Sequence, residues 1–320
     1  MESPGQRMKH VLVTGANGFL GAHAVNALLS QEMHVTALVR DNSRTGQIPP
    51  SAEGASNLTR MQCEIEELHQ REKLPAGSTI VHLAGNPESN QSHRDVTIER
   101  ELRQLSGVLA AAHRSRFCRV IYASSSLVYG RPLDYPITEG FPVSHESAYA
   151  TAKLQAETML QSADIESVAL RLFNVYGPGQ SSGTVMGKIC SDAATGTRSF
   201  RRGDPEIEPP IDFVYVGDVA RVFAALTSAE SFPLHTLNVG SGCSARPTQV
   251  ADAVLGDRWG GDLVDVLCGV DVGSASRVCL ESVVGNQSVT PLTTGIAQTI
   301  DWTLSLEGRG PRGSEPLEIP

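Results

Sequence analysis

Tyr149 and Lys153 are the two residues of this chain whose types and spacing best suit proton transfer. They lie four positions apart in Tyr149-Ala-Thr-Ala-Lys153-Leu-Gln-Ala-Glu, a stretch with a helical pattern. Residues at this spacing share one face of a helix. An ammonium beside a phenol favours the phenolate, so such a tyrosine can exchange a proton with a substrate hydroxyl. The pair predicts acid–base chemistry, although an isolated Tyr-x-x-x-Lys arises often by chance.

A glycine-rich turn near the start of the chain predicts a dinucleotide site. The strand-like run Lys9–Thr14 leads into Gly15-Ala-Asn-Gly18-Phe-Leu-Gly21, and a helical stretch and a second strand, Val35–Val39, follow. This strand–turn–helix–strand unit is typical of dinucleotide binding, whereas a glycine turn alone can also lack a ligand. The glycines permit a tight turn and close approach to a pyrophosphate, which the helix N-terminus attracts. We expect the cofactor to contact Gly15, Asn17, Gly18, Phe19, Leu20 and Gly21.

The residue after the second strand bears on the choice of cofactor. Arg40 follows Val39 directly, and Arg44 lies close behind. An acidic side chain at this point accepts hydrogen bonds from the ribose 2′-hydroxyl of NAD, whereas arginine accommodates the 2′-phosphate of NADP. Arg40 therefore favours NADP over NAD. The alternative interpretation is a solvated arginine just beyond the strand.

Strand and helix patterns alternate to about residue 175, as in parallel βαβ units. The predicted strands after the second are Thr59–Cys63, Thr79–Leu83, Arg119–Ala123 and Ser167–Leu172, and the clearest predicted helices are Glu99–His113 and Tyr149–Ser162. This order predicts an α/β fold, a doubly wound parallel sheet (Rossmann) with a smaller C-terminal substrate lobe.

The domain boundaries follow from where this alternation weakens. Residues 8–176 are predicted to form the dinucleotide-binding domain, with 212–242 returning to it through strands in Asp212–Val219 and Thr236–Val239. Residues 177–304 are predicted to form mainly the substrate lobe, with a last helix at Leu292–Trp302. The segment 305–320, dominated by Gly, Pro and charge, predicts a disordered tail.

Composition limits the class of protein. The 320 residues suffice for a doubly wound domain and a smaller lobe. A net charge of −9 at pH 7 argues against nucleic-acid and membrane partners. The six cysteines show no paired spacing and the nine histidines show no ligand spacing, so we expect reduced thiols and no metal site. No secretory signal or membrane-length apolar run is evident, and the predicted location is the cytoplasm.

Glycine turn, serine run and Tyr-x-x-x-Lys occur in an order that resembles the extended short-chain dehydrogenase/reductase family. This family contains NAD(P)-dependent nucleotide-sugar epimerases, dehydratases and reductases, and the likeness covers roughly residues 8–304. Besides the glycine turn, the matching stretches are Ile80–Ala84, Val120–Gly130 with its serine run, Arg171–Pro178, Asp212–Ala220 and Asn238–Gly242.

The resemblance implies roles for individual residues. Ser125 would hydrogen-bond the reacting oxygen, Tyr149 would move the proton, and Lys153 would contact the nicotinamide ribose. Tyr149 and Lys153 thereby also count as cofactor contacts, and further contacts are implied at Glu64, Ile65, Leu83 and Ala84. Ser126 and Asn174 would face the substrate. Dimerisation through a two-helix face is typical of the family, so we expect a homodimer.

Four departures from the family pattern bear on the substrate. Ser126-Leu127 stands where the sugar 4,6-dehydratases carry Asp-Glu, and Leu127 also stands where the GDP-keto-sugar epimerase-reductases carry a cysteine. Ile211 occupies the place of an arginine that holds the diphosphate in many nucleotide-sugar enzymes, although Arg201 and Arg202 lie shortly upstream. Glu101 stands where an asparagine is common.

Three functions remain open on the sequence. The leading one is an NAD(P)-dependent oxidoreductase or epimerase acting on a carbinol or ketone carbon of a nucleotide-linked sugar, with Tyr149 as the acid or base. The first alternative is an NADPH-dependent ketoreductase for a small non-nucleotide carbonyl compound, which Ile211 favours. The second is a redox-silent regulator that binds the dinucleotide, although such a protein need not retain Ser125, Tyr149 and Lys153.

Overall fold

The computed structural model describes residues 9–40, 55–71, 73–85, 94–116, 118–130, 136–197, 209–255 and 273–306. Its strands are β1 (His10–Thr14), β2 (His34–Val39), β3 (Leu58–Gln62), β4 (Thr79–His82), β5 (Arg119–Ser125), β6 (Ser167–Leu172), β7 (Asn174–Tyr176), β8 (Ile211–Tyr215), β9 (Thr236–Val239) and β10 (Ser244–Ala245). Its α-helices are α1 (Phe19–Leu29), α2 (Arg94–His113), α3 (Ala148–Ser162), α4 (Val185–Thr195), α5 (Val216–Ser228), α6 (Pro247–Leu255), α7 (Val278–Val284) and α8 (Leu292–Leu306). Short 3-10 helices cover Ile65–Gln70 and Ser126–Tyr129.

The central element is a seven-stranded parallel sheet in the order β3-β2-β1-β4-β5-β6-β9. Helices α1 and α5 pack against each other on one face, and α2 and α3 pack against each other on the opposite face. Strands covered on both faces bury every side chain, which explains the continuous apolar run Val11–Val13 in β1. This arrangement confirms the predicted doubly wound α/β fold.

The carboxyl ends of these parallel strands meet at one edge of the sheet. The glycine turn follows β1, Arg40 follows β2, Glu64 lies just beyond β3, and Leu83 follows β4. Ser125 ends β5. Ligands of open α/β sheets bind outside this edge, so the fold gathers residues that are far apart in sequence around one site.

A second, three-stranded sheet lies outside the main one, in the order β10-β8-β7. It packs with α4, α6 and α8 around a separate apolar cluster that includes Met186, Ile189 and Ile296. The prediction that Asp212–Val219 joins the main sheet is wrong. Strand β8 pairs with β7 and β10 instead, and from Val216 onward the chain is helical and packs on α1. The segment Thr236–Val239, in contrast, forms β9 beside β6.

The last described helix, α8, continues through Leu306, four residues beyond its predicted end and two into the predicted tail. The remaining residues of that tail, 307–320, lie outside the described residues, as do Arg44, Arg201 and Arg202. The division into two domains stays a prediction. Among the described helices, none combines the length and the apolar character that crossing a membrane requires.

Candidate active site

The glycine turn after β1 has a shape that only small residues permit. Gly15 adopts a φ of 66°, and a Cβ atom on it would lie 2.8 Å from the backbone nitrogen of Ala84. A Cβ atom on Gly21 would lie 2.1 Å from the carbonyl oxygen of Gly15. Gly18 is the N-cap of α1 and supplies no capping side chain, so the first N–H groups of this 11-residue helix are free to bind an anion. The turn therefore fits a pyrophosphate.

A cavity of about 550 Å³ opens beside this turn. Eight residues expected to contact the cofactor line it: Gly15, Asn17, Gly18, Arg40, Glu64, Ile65, Leu83 and Ala84. Six further lining residues were not predicted: Leu38, Val39, Cys63, Gly85, Arg100 and Gln104. Most of these adjoin a predicted contact in sequence, whereas Arg100 and Gln104 come from α2 through helical spacing. Phe19, Leu20, Gly21, Tyr149 and Lys153 do not line this cavity.

Thr14 and His82 stabilise the part of the cavity wall that lies at the end of β4. The Thr14 hydroxyl oxygen accepts hydrogen bonds from the backbone N–H groups of Leu83 and Ala84, at 3.2 and 3.3 Å. It therefore donates its proton to Nδ1 of His82, 2.7 Å away, which makes His82 the neutral tautomer with its proton on Nε2. His82 is 1% exposed, and burial lowers its pKa to about 4. His82 thus orders the cavity wall as a neutral group.

Lys153 does not line the cavity but lies close to it, buried in contact with α2 and β5. Its Nζ atom donates to Oε1 of Glu101 at 2.7 Å and to the Ala123 carbonyl oxygen at 2.9 Å. The same Nζ lies 5.5 Å from the centre of the Tyr149 ring. A Cβ atom on Gly85, which lines the cavity, would lie only 3.5 Å from Nζ. The ammonium is therefore close to both the predicted acid–base tyrosine and the cofactor cavity.

The serine run at the end of β5 gives each serine a different environment. Ser124 donates to the Glu157 carboxylate, which also pairs with buried Arg171 at 2.7 Å. The Ser125 oxygen accepts a hydrogen bond from the Leu127 N–H at 3.2 Å, so its own proton remains available to donate. Ser126 is half-buried in the 3-10 helix that follows. Ser125 thus has the donor that the predicted role requires.

Asn174 is expected to face the substrate, whereas Ile211 and Leu127 depart from the family pattern, and the three residues lie in separate elements. Asn174 is exposed at the start of β7 and pairs in register with Phe213 of β8. Ile211 begins β8, half-buried against the apolar cluster of the small sheet. Leu127 is 54% exposed beside Ser126. Asn174 thus offers an exposed polar amide, whereas Ile211 and Leu127 are apolar.

Two further features of the described structure were not predicted from the sequence. Glu101 was noted only as a departure from the family, whereas the structure places its carboxylate on Lys153. The signal available in the sequence was its register on α2, whose buried face includes Gln104 and Leu105. Gln180, in the loop after β7, buries a side-chain amide whose two polar atoms have no hydrogen-bond partner among the described residues. Within the described segments no group of three His, Cys, Asp or Glu side chains could hold a metal ion.

Comparison with known proteins shows which family and which relatives this chain is similar to. A family model described as the NAD dependent epimerase/dehydratase family matches residues 11–240. The chain is 28% identical to a UDP-glucose 4-epimerase of Mycolicibacterium smegmatis over 91% of this chain and 97% of that one. It is 27% identical to a UDP-glucose 4-epimerase of Azospirillum brasilense over 82% and 84% of the two chains.

Solved structures show the same fold. The UDP-glucuronic acid 4-epimerase of Bacillus cereus, in complex with UDP-glucuronic acid and NAD, has a TM-score of 0.77 and is 21% identical. The comparison covers 93% of this chain and 99% of that one. The UDP-glucose 4-epimerase of Thermotoga maritima, with UDP-glucose, has a TM-score of 0.76 at 19% identity, with 93% and 99% covered. At this level of identity the likeness establishes the fold.

Proposed function

The chain belongs to the NAD-dependent epimerase/dehydratase family, and we propose that it is an oxidoreductase or epimerase acting at a carbinol or ketone carbon of a nucleotide-linked sugar. The observation that carries the proposal is Lys153 Nζ lying 5.5 Å from the Tyr149 ring, next to cavity-lining Gly85. The relatives named as UDP-glucose 4-epimerases support a sugar nucleotide as the substrate class.

Each of three residues, Tyr149, Lys153 and Ser125, has a separate role in the proposed reaction. A nicotinamide, when bound, supplies a carbon that accepts or returns a hydride. Tyr149 takes the proton of the substrate hydroxyl during oxidation and returns it during reduction. Lys153 stabilises the phenolate that forms, and Ser125 donates a hydrogen bond that fixes the reacting oxygen. In an epimerisation Tyr149 would first accept the proton and then return it, whereas in a net reduction it would only donate a proton to the ketone oxygen, and a cofactor supplied in the reduced form would provide the hydride.

Arg40 supports a proposal on the form of the cofactor. It follows β2 directly, is exposed, and lines the cavity, where a 2′-phosphate on the adenosine ribose would lie. We infer that the site accepts NADP, although the family is NAD-dependent and the Bacillus cereus epimerase binds NAD in its complex. Arg40→Ala should weaken NADP binding and leave NAD binding within about threefold. Equal effects on the two cofactors would contradict this role.

The proposed function has a direct test in Tyr149→Phe. We expect turnover to fall by about 100-fold or more while cofactor binding is largely retained, because the phenol supplies the acid–base catalysis and the other predicted cofactor contacts remain. Tyr176→Phe is a matched control, since the buried Tyr176 hydroxyl donates to the Leu292 carbonyl oxygen. Unchanged turnover in Tyr149→Phe would rule out the mechanism and favour a redox-silent regulator.

Substrate class is tested by ligand stabilisation. UDP, dTDP or GDP should raise the melting temperature if a sugar nucleotide binds the native state. Reduced-nicotinamide absorbance that co-purifies with the protein would favour an epimerase that retains its cofactor over a net reductase.

Ile211 favours a second candidate, an NADPH-dependent ketoreductase for a small non-nucleotide carbonyl compound. Its side chain packs against the apolar cluster of the small sheet, where many sugar-nucleotide enzymes carry a diphosphate-binding arginine. Failure of all three nucleotides to stabilise the protein, with activity on simple ketones, would support this candidate. A homodimer that pairs through a two-helix face remains a prediction, for which light scattering is the test, and the cytoplasmic location likewise remains a prediction.

A further inference from the structure

We propose that Glu101 is a positioning residue for this site, whose buried carboxylate fixes the Lys153 ammonium and keeps it charged beside Tyr149. The inference rests on the proposed function, because it assigns Glu101 a part in the acid–base work of Tyr149. It goes beyond the family pattern, in which an uncharged asparagine is common at this point of the chain.

The contact between the two side chains is direct and shielded from water. Glu101 Oε1 lies 2.7 Å from Lys153 Nζ, and the two side chains are 7% and 5% exposed. Oε1 also accepts a hydrogen bond from the Tyr122 hydroxyl at 2.6 Å. The Ala123 carbonyl oxygen holds the ammonium from a second direction at 2.9 Å. Three groups from two elements, α2 and β5, therefore determine where the ammonium lies.

The charged and titratable groups that face Lys153 from the elements packed around it determine whether its ammonium stays protonated. Helix α2 contributes Glu101, and α3 itself contributes Tyr149 and Glu157, of which Glu157 is already paired with Arg171. Strand β5 contributes the Tyr122 ring, 4.7 Å from Nζ, and β4 contributes His82. Burial keeps His82 neutral, and burial together with the adjacent Glu101 carboxylate raises the pKa of Tyr122. Glu101 is the carboxylate in direct contact with the ammonium.

Burial alone would lower the pKa of Lys153, because taking an ammonium out of water disfavours its charged form. Burial is in fact the largest influence on Lys153 and acts to lower its pKa. The Glu101 carboxylate, with smaller help from Tyr149 and Glu157, outweighs it, so the pKa of Lys153 lies above its ordinary value. Removing the negative charge at Glu101 should therefore let Lys153 lose its proton at a lower pH.

The chain is well suited to a direct measurement, because its four lysines are Lys9, Lys73, Lys153 and Lys188. Full-length protein carrying ¹³C-labelled lysine would be titrated by NMR, and Lys153 would be assigned from the Lys153→Arg spectrum. Glu101→Gln keeps an acceptor oxygen at the same reach while removing the charge. We expect its Lys153 titration midpoint to fall by about 1 to 3 pH units relative to wild type. The alkaline limb of kcat/KM should shift in the same direction.

Glu99→Gln is the matched control, since Glu99 lies on the same helix in an exposed pair with Arg103. It should leave the Lys153 midpoint unchanged. A midpoint in Glu101→Gln that also equals the wild-type value would overturn the inference. If Tyr149→Phe remains active, the proposed function fails, independently of the lysine titration.

Loss of folding in Glu101→Gln would be resolved by a double variant. Glu101→Gln combined with Lys153→Met removes both charges. If the double variant folds and Glu101→Gln does not, the unpaired ammonium caused the loss of folding, and the inference is supported. If the double variant also fails to fold, Glu101 is needed for its contact with Tyr122 rather than for the lysine, and the inference is wrong.

Discussion

His82 should make the protein measurably less stable as the pH falls from 7 to 5. Its ring is buried in β4, with Nδ1 bonded to Thr14 and Nε2 without a hydrogen-bond partner in the described part of the chain. Burial lowers its pKa to about 4, whereas the ordinary value, reached in the unfolded chain, is 6.5. The unfolded state therefore binds more protons between these two values, and the free energy of unfolding decreases as the pH falls through that range.

The magnitude follows from the two pKa values. At pH 7 His82 is mostly neutral in the unfolded chain, so the unfolded and folded states differ little in the number of protons that they bind. At pH 5 the unfolded histidine is almost fully protonated and the folded one is almost fully neutral. The linkage relation then gives a loss of about 2 kcal/mol in the free energy of unfolding between pH 7 and pH 5.

The assay is urea unfolding of the wild type and of His82→Asn at both pH values. Asparagine cannot take up a proton in this range, and its side-chain oxygen can replace Nδ1 as the acceptor for Thr14. Other titrating groups are common to the two proteins, so their contributions cancel in the comparison. We expect the wild type to lose about 2 kcal/mol more than the variant. Equal losses in the two proteins would refute the reasoning.

Three further substitutions test other parts of the structure. Gly21→Ala should abolish cofactor binding, because its methyl group would overlap the glycine turn, whereas Gly140→Ala, with no atom within 4 Å of the added Cβ, should bind normally in the same equilibrium titration. Glu157→Gln should lower the free energy of unfolding by about 3 kcal/mol in urea, because it leaves the buried guanidinium of Arg171 without its carboxylate; a loss below about 1 kcal/mol would contradict the pairing. Gln180→Met should raise the stability of the ligand-free protein by about 1 kcal/mol, because it removes two buried polar atoms that no described residue pairs; a lower melting temperature would show that the amide has a partner.

The main sheet was predictable because its signals are local. Each buried strand is a short apolar run, and the first two flank a glycine turn, so the positions of β1 and β2 follow from the sequence alone. Strand β6, Ser167–Leu172, has the bounds that its pattern predicts. The segment that begins at Asp212 was harder, because a buried strand followed by a helix has the same pattern in either sheet. Its partners β7 and β10 lie far away along the chain, and that pairing leaves no local signal.

The candidate site shows the same contrast. The residues expected at the cofactor follow strand ends, and the structure gathers eight of them around one cavity, although their roles there stay predictions. Glu101 could be seen in the sequence only as an unusual residue. Its contact with Lys153 depends on how α2 lies over α3, which is a matter of helix packing and not of spacing. Ion pairs between elements that are distant in sequence could therefore not be predicted from the sequence alone.

The route of the chain has a consequence for how the protein is made. Strand β9 is the edge strand of the main sheet beside β6, and α5 packs on α1, yet both come after strand β8 of the small sheet in the sequence. The ribosome must therefore synthesise the chain as far as Val239 before all of β9 can pair with β6. Until then the nascent polypeptide exposes an open strand edge and an uncovered apolar helix, which are the surfaces on which newly made chains aggregate.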